Sequence, residues 1–200
     1  MIRFILITSL LFFGLTAQAN AAAIIGRAAP PLALTDVNGE RVRLDSFKGK
    51  IVVLEWVNFQ CPFVGKHYGS GNMQVLQRKY TGNGVVWLSV CSSAPGKQGH
   101  VTGAEAKALM KEKDAAPTRF LLDPKGTVGR AYGAKTTPHM FVIDPAGKIL
   151  YNGAIDDKRS ARESDRKIAN NYVRAALSEA VAGKPVTVAS TTPYGCSIKY

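Results

Sequence analysis

Short unbroken apolar runs alternate along this chain with segments in which apolar residues recur every three or four positions, the pattern of buried strands interleaved with amphipathic helices. Leu32 to Leu34 and Arg41 to Leu44 flank Asn38-Gly39, a pair that predicts a hairpin of two short strands. Ile51 to Val57, β-branched and aromatic, reads as a buried strand, as does Gly84 to Val90. Between them Met73, Leu76 and Tyr80 fall at helical spacing, and Thr81-Gly82-Asn83-Gly84 stops that helix. A strand, helix and strand of these lengths imply a right-handed crossover and parallel pairing. Gly69, Ser70 and Gly71 interrupt the helical segment, which predicts a break after Tyr68.

Further along, Thr102 followed by Glu105 makes a capping box ahead of an Ala, Leu and Met helix that fades before Pro117. Arg119 to Leu122 and Met140 to Asp144 read as strands running into Asp-Pro-Lys-Gly and Asp-Pro-Ala-Gly turns, the second leading into Lys148 to Tyr151 as an antiparallel hairpin. Ser160 and Glu163 suggest a second capping box for a long helix whose stripe is Ile168, Tyr172, Ala176, Leu177, Ala180 and Val181, ended by Gly183 and Pro185. The tail from Val186 to Tyr200 shows no period and is expected to wrap the domain. The sum is an α/β fold with a mixed central sheet, helices on its faces, an N-terminal β-hairpin and a C-terminal tail.

The first residues change the picture of where this fold works. Arg3, the apolar run Phe4 to Leu15 and small-residue sites around Ala19 and Ala21 read as a cleavable signal peptide over residues 1–21. Residues 22–200 then form one exported domain, with the bacterial periplasm the expected compartment, and no stable membrane span. The net charge of +12 is spread along the sequence, with acids interleaved between Lys158 and Lys167, so a solvated surface explains it better than nucleic-acid binding.

Three cysteines remain, Cys61, Cys91 and Cys196, which allow three pairings and leave one thiol over. Cys61 stands where a parallel strand meets a helix, the edge at which open α/β sheets gather their chemistry. Pro62 suits the first helical position, so Cys61 is the N-cap and its sulfur faces the free amides of Phe63 and Val64. The positive end of the helix dipole stabilises a thiolate there. A buried inert cysteine, or half of a structural disulfide, is the competing reading.

The segment EWVNFQCPFVGKHY, with IGRAAPPLALTDVNGERVRLDSFKGK before it and YGAKTTPHMFVIDPAGKILYNGAIDD after it, resembles the peroxiredoxin-like branch of the thioredoxin superfamily from about Gly26 to Asp157. The resemblance implies a thioredoxin-like fold, a reactive Cys61, a cis-proline at Pro138, and backbone contacts from Thr137 to an extended substrate. The sequence also departs from the pattern. Val64 stands where thioredoxins have their second cysteine and peroxiredoxins their peroxide-reacting one, and the supporting arginine has no counterpart near His139 and Met140. What the resemblance leaves is attack by one thiolate on a disulfide, a sulfenic acid or another electrophile, resolved by a second thiol. Cys196 is the first candidate for that thiol and Cys91 the rival, while a Cys91–Cys196 bridge pinning the tail is the structural alternative. The implied partners are a disulfide or hydroperoxide substrate and a thiol reductant, with no cofactor.

Other polar positions invite secondary roles. Glu55, inside an apolar strand, must be paired or protonated and is a possible proton shuttle. His139 with Cys61 offers a soft donor set for copper or zinc, the basis of an alternative reading as a non-catalytic module that binds metal or a partner protein. His67 reads as a solvated helix-surface residue, and His100 has no evident partner.

Overall fold

The computed structural model describes residues 23–200, and the signal peptide expected at residues 1–21 lies outside them. β1 (Ala33–Asp36) and β2 (Arg41–Arg43) form the expected antiparallel hairpin, with Leu34 opposite Val42. The Asp36 carboxylate closes its loop by accepting from the amides of Asn38 and Glu40, and Gly39 supplies the positive φ of +85°. β3 (Val52–Trp56) leads through α1 (Pro62–Gly69) and α2 (Asn72–Thr81) to β4 (Val86–Cys91), which lies parallel to it. The break between the two helices falls at Ser70 and Gly71, the glycine at φ +71°.

α3 (Gly103–Glu112) opens on a complete capping box, in which the Glu105 amide donates to Thr102 Oγ1 and the Thr102 amide to Glu105 Oε2. β5 (Arg119–Leu122) pairs in parallel with β4. A short helix that periodicity did not signal, α4 (Thr127–Tyr132), follows the first Asp-Pro turn. Asp123 explains it, because its carboxylate accepts from the amides of Val128 and Gly129, donors that the first helical turn leaves free. β6 (Thr136–Thr137) precedes β7 (His139–Ile143), which forms the predicted hairpin with β8 (Ile149–Gly153).

The long C-terminal helix is shorter than its stripe predicted. α5 (Tyr172–Val181) starts nine residues after Glu163, and its cap is not Ser160 but Asn171, whose side chain accepts from the Arg174 amide. Ser160 instead gives its hydroxyl to Asp165, and Glu163–Lys167 form a single 3₁₀ turn. Ile168, counted in the stripe, is 70% exposed.

The strand order is β2-β1-β5-β4-β3-β7-β8. Alternation along the strands divides the apolar residues between two faces. Val53, Val57, Met140 and Val142 pack with α1, α2, α3 and α5. Leu54, Trp56, Phe141 and Ile143 pack with α4 and the N-terminal hairpin. The tail does wrap the domain. Its strand β9 (Cys196–Ser197) pairs antiparallel with β6, and this brings the end of the chain to the start of α1.

Candidate active site

Cys61 is the N-cap of α1 with extended backbone (φ −82°, ψ 124°), and Pro62 fills the first helical position. The Thr137–Pro138 peptide bond is cis, as the resemblance implied. Antiparallel pairing of β7 with β3 puts His139 opposite Trp56 and so carries Thr137 and Pro138 to the strand end that Cys61 follows. The Cys61 Sγ lies 3.0 Å from the Thr137 carbonyl oxygen and 2.7 Å from Cys196 Sγ, and all three thiols are unbonded. A bond of about 2.05 Å between Cys61 and Cys196 requires only a small further approach.

The two sulfurs are electrostatically unequal. Burial disfavours the Cys61 thiolate, but the Cys196 thiol, the Val64 amide and the Thr137 hydroxyl outweigh it and hold Cys61 below the ordinary thiol value. The Thr137 hydroxyl is a buried oxygen that makes no hydrogen bond among the described residues, which leaves it free to turn toward a thiolate. Burial and the adjacent Cys61 push Cys196 up to about 11. Of the two, Cys61 is therefore the more readily ionised sulfur and Cys196 the one that keeps its proton longer. None of the leading influences on Cys61 is a guanidinium.

Cys91 ends β4, the neighbouring parallel strand, but its Sγ donates to the Gly99 carbonyl at 3.2 Å within the apolar cluster. Burial raises its thiol. Glu55 is fully buried, and its oxygens accept from Tyr68 Oη at 2.8 Å, Gln77 Nε2 at 3.1 Å, Trp87 Nε1 at 2.8 Å and Ser89 Oγ at 3.0 Å. Burial raises this carboxyl despite the four donors, none of which bonds Cys61. The network ties β3 and β4 to α1 and α2.

His139 and Cys61 are not brought together as a donor pair. His139 stacks on Phe141, which belongs to the face opposite Cys61. Its Nδ1 accepts from the Lys135 amide, so Nε2 donates to Asn152 Oδ1 at 2.7 Å, and burial lowers its pKa to about 4. Among the described residues no three His, Cys, Asp or Glu side chains form a metal-binding group. His67 is buried rather than solvated, because the chain from Asp156 to Lys167 lies over α1. Its Nδ1 meets Asn72 Nδ2 at 3.0 Å, its Nε2 has no bond, and burial lowers it to about 4. His100 Nδ1 meets the Ser93 carbonyl at 3.1 Å.

No local pattern announces the ion pair beside the site. Lys66, on α1, is fully buried and reaches Asp156 Oδ2 at 2.9 Å, the Lys158 carbonyl at 2.7 Å and Tyr194 Oη at 3.0 Å. Tyr194 in turn donates to Asp156. Removing one member of such a buried pair costs about 3–5 kcal/mol. A lysine mid-helix carries no local signal for this role, since its partners lie 90 and 128 residues away.

Residues 25–152 match the AhpC/TSA family. Over 126 residues, 63% of this chain and 67% of theirs, the chain is 29% identical to the thiol-disulfide oxidoreductases ResA of Bacillus thuringiensis subsp. konkukian and Bacillus cereus. An uncharacterized conserved protein from Geobacillus kaustophilus superposes with a TM-score of 0.76 at 29% identity, over 89% of this chain and 93% of that one. A putative thiol:disulfide interchange protein DsbE from Chlorobium tepidum superposes with a TM-score of 0.55 at 26% identity, over 78% and 99%. The neighbours share the thioredoxin-like fold.

Proposed function

The chain belongs to the AhpC/TSA family, and from that membership we propose that it is an exported thiol-disulfide redox protein with Cys61 as nucleophile and Cys196 as resolving thiol. The observation that carries the proposal is the 2.7 Å contact between a sulfur held below its ordinary pKa and one pushed up to about 11. A thiolate is the attacking species in exchange and a protonated neighbour is poised to follow it. Cys61 attacks a substrate disulfide, forming a mixed disulfide and releasing one substrate thiolate. Cys196, losing its proton, then attacks the Cys61 sulfur, expels the second thiolate and leaves Cys61–Cys196 oxidised. An external thiol reductant restores the pair.

A disulfide suits this centre better than a hydroperoxide. Val64 stands where peroxiredoxins carry their nucleophile, and amide, hydroxyl and thiol groups, rather than a guanidinium, act on Cys61. Thiol-disulfide exchange is also the activity named in the ResA relatives. Export rests on the leader pattern of residues 1–21.

Turnover of a protein disulfide and of a hydroperoxide by wild type, Cys61→Ser and Cys196→Ser tests the assignment. Cys61→Ser is expected to lose disulfide turnover by about a thousandfold or more, since a serine hydroxyl is not ionised at neutral pH. Cys196→Ser is expected to accumulate the mixed disulfide on Cys61, visible by mass. Undiminished turnover by Cys61→Ser removes the proposal.

A further inference from the structure

Cys196 reaches Cys61 at the end of a chain segment that is anchored in an unusual way. Upstream, Thr191 is fixed by Tyr151 Oη at 2.6 Å and by the Ala154 amide at 2.9 Å. Downstream, β9 pairs with β6, Ile198 donates to the Lys135 carbonyl, and Tyr200 Oη donates to the Ala134 carbonyl. Between Thr191 and Cys196, Tyr194 is the buried residue, and its hydroxyl is held at both ends, accepting from Lys66 Nζ and donating to Asp156. The Lys66 ammonium also lies 5.4 Å from the centroid of the Tyr194 ring, and Phe63 meets that ring edge-on at 5.8 Å.

Lys66 sits on the same helix that Cys61 caps, so the anchor and the nucleophile share one rigid element. Gly195, between anchor and thiol, has φ +144°. A Cβ there would stand 2.1 Å from the Thr137 carbonyl oxygen and 3.2 Å from Pro138 Cδ. The segment thus approaches the cis-proline loop as closely as backbone can, and it does so with its preceding side chain locked to α1. Cys61 itself is only 1% exposed beneath this segment.

We propose that Lys66, Asp156 and Tyr194 form a positioning device that holds Cys196 over Cys61, speeding internal resolution of a mixed disulfide at the expense of access to Cys61. This rests on the roles of Cys61 and Cys196 proposed above. An intramolecular thiol acts through its effective concentration, and a misplacement of about 1 Å by a change outside the reacting atoms is enough to slow such a step by up to a hundredfold. The triad touches neither sulfur. Its action is exerted through Gly195, the one residue that separates Tyr194 from Cys196.

Stopped-flow reaction of the reduced full chain with the aromatic disulfide 5,5′-dithiobis(2-nitrobenzoate) separates the two steps. Attack by Cys61 breaks the reagent's S–S bond and releases the first thionitrobenzoate. Attack by Cys196 on Cys61 breaks the mixed disulfide and releases the second, so that a two-electron reduction of the reagent matches oxidation of the cysteine pair. Buried Cys91 is counted afterwards in denaturant. In Tyr194→Phe and in Lys66→Met, the second release is expected to slow at least about tenfold while the first is no slower than in wild type. Gly195→Ala, which leaves the triad intact but pushes the thiol away, is expected to give the same split.

Tyr194→Phe removes one oxygen only and serves as the informative variant if Lys66→Met does not fold. An added small thiol is expected to resolve the mixed disulfide of Tyr194→Phe at the wild-type rate, since Cys61 is untouched. Equal slowing of both releases, or no change in either, overturns the positioning role. Retention of the second release in Cys196→Ser removes instead the reading on which it rests.

Discussion

Two neighbouring parallel strands, β3 and β4, deliver a cysteine near their carboxyl ends, and the two thiols are driven in opposite directions. Cys91 remains inside its strand, where burial raises it and its one hydrogen-bond acceptor, the Gly99 carbonyl, can bind only the protonated form. Cys61 lies five residues beyond its strand, at a helix entrance, where the Cys196 thiol, the Val64 amide and the Thr137 hydroxyl favour its thiolate against burial. Both are buried in the same apolar cluster, and the balance between burial and nearby donors distinguishes them: burial prevails at Cys91 despite Ser93 and Val101, while the donors prevail at Cys61.

The largest consequence is in reactivity. Alkylation of the reduced protein near neutral pH, followed by mass mapping, is expected to label Cys61 at least about ten times faster than Cys91, because both are buried and the larger thiolate fraction belongs to Cys61. Comparable rates at the two positions would break the contrast.

Stability is expected to reverse the ranking. Cys91→Ala removes a sulfur packed in the core and leaves its space unfilled, at a cost of about 1–2 kcal/mol by denaturant unfolding, with thiol exchange unaltered. If Cys91→Ala also loses exchange activity, Cys91 participates in the chemistry and the rival assignment for the resolving thiol returns.

Much of this contrast could be read from the amino-acid order. Proline after Cys61 announced a helix N-terminus, apolar runs announced the strands, and Thr102 with Glu105 announced α3, since each signal is confined to a few adjacent residues. What stayed hidden depends on distant partners. Glu55 takes its four donors from positions 13, 22, 32 and 34 residues away, and Lys66 is buried only because Asp156 and Tyr194 close over it. The start of α5 departs from the expected one for a related reason. Ser160 has the right spacing for a cap but gives its hydroxyl to Asp165, leaving Asn171 to start the helix.

The smallest expected effect isolates one of the donors on Cys61. Thr137 presents a buried hydroxyl that makes no hydrogen bond among the described residues and favours the Cys61 thiolate, so Thr137→Val removes that donor and keeps the shape of the side chain. Cys61 should then titrate closer to the ordinary thiol value, since one group favouring its thiolate is gone. The pH profile of Cys61 alkylation reads the shift as a midpoint displaced upward. Linkage gives the same sign in stability. A thiol depressed by folding stabilises the reduced protein above its unfolded pKa, and that contribution is lost as pH falls through the folded value. Thr137→Val should therefore gain less stability on going from neutral to alkaline pH than wild type does. An unmoved midpoint would assign the low pKa of Cys61 to Cys196 and the Val64 amide alone.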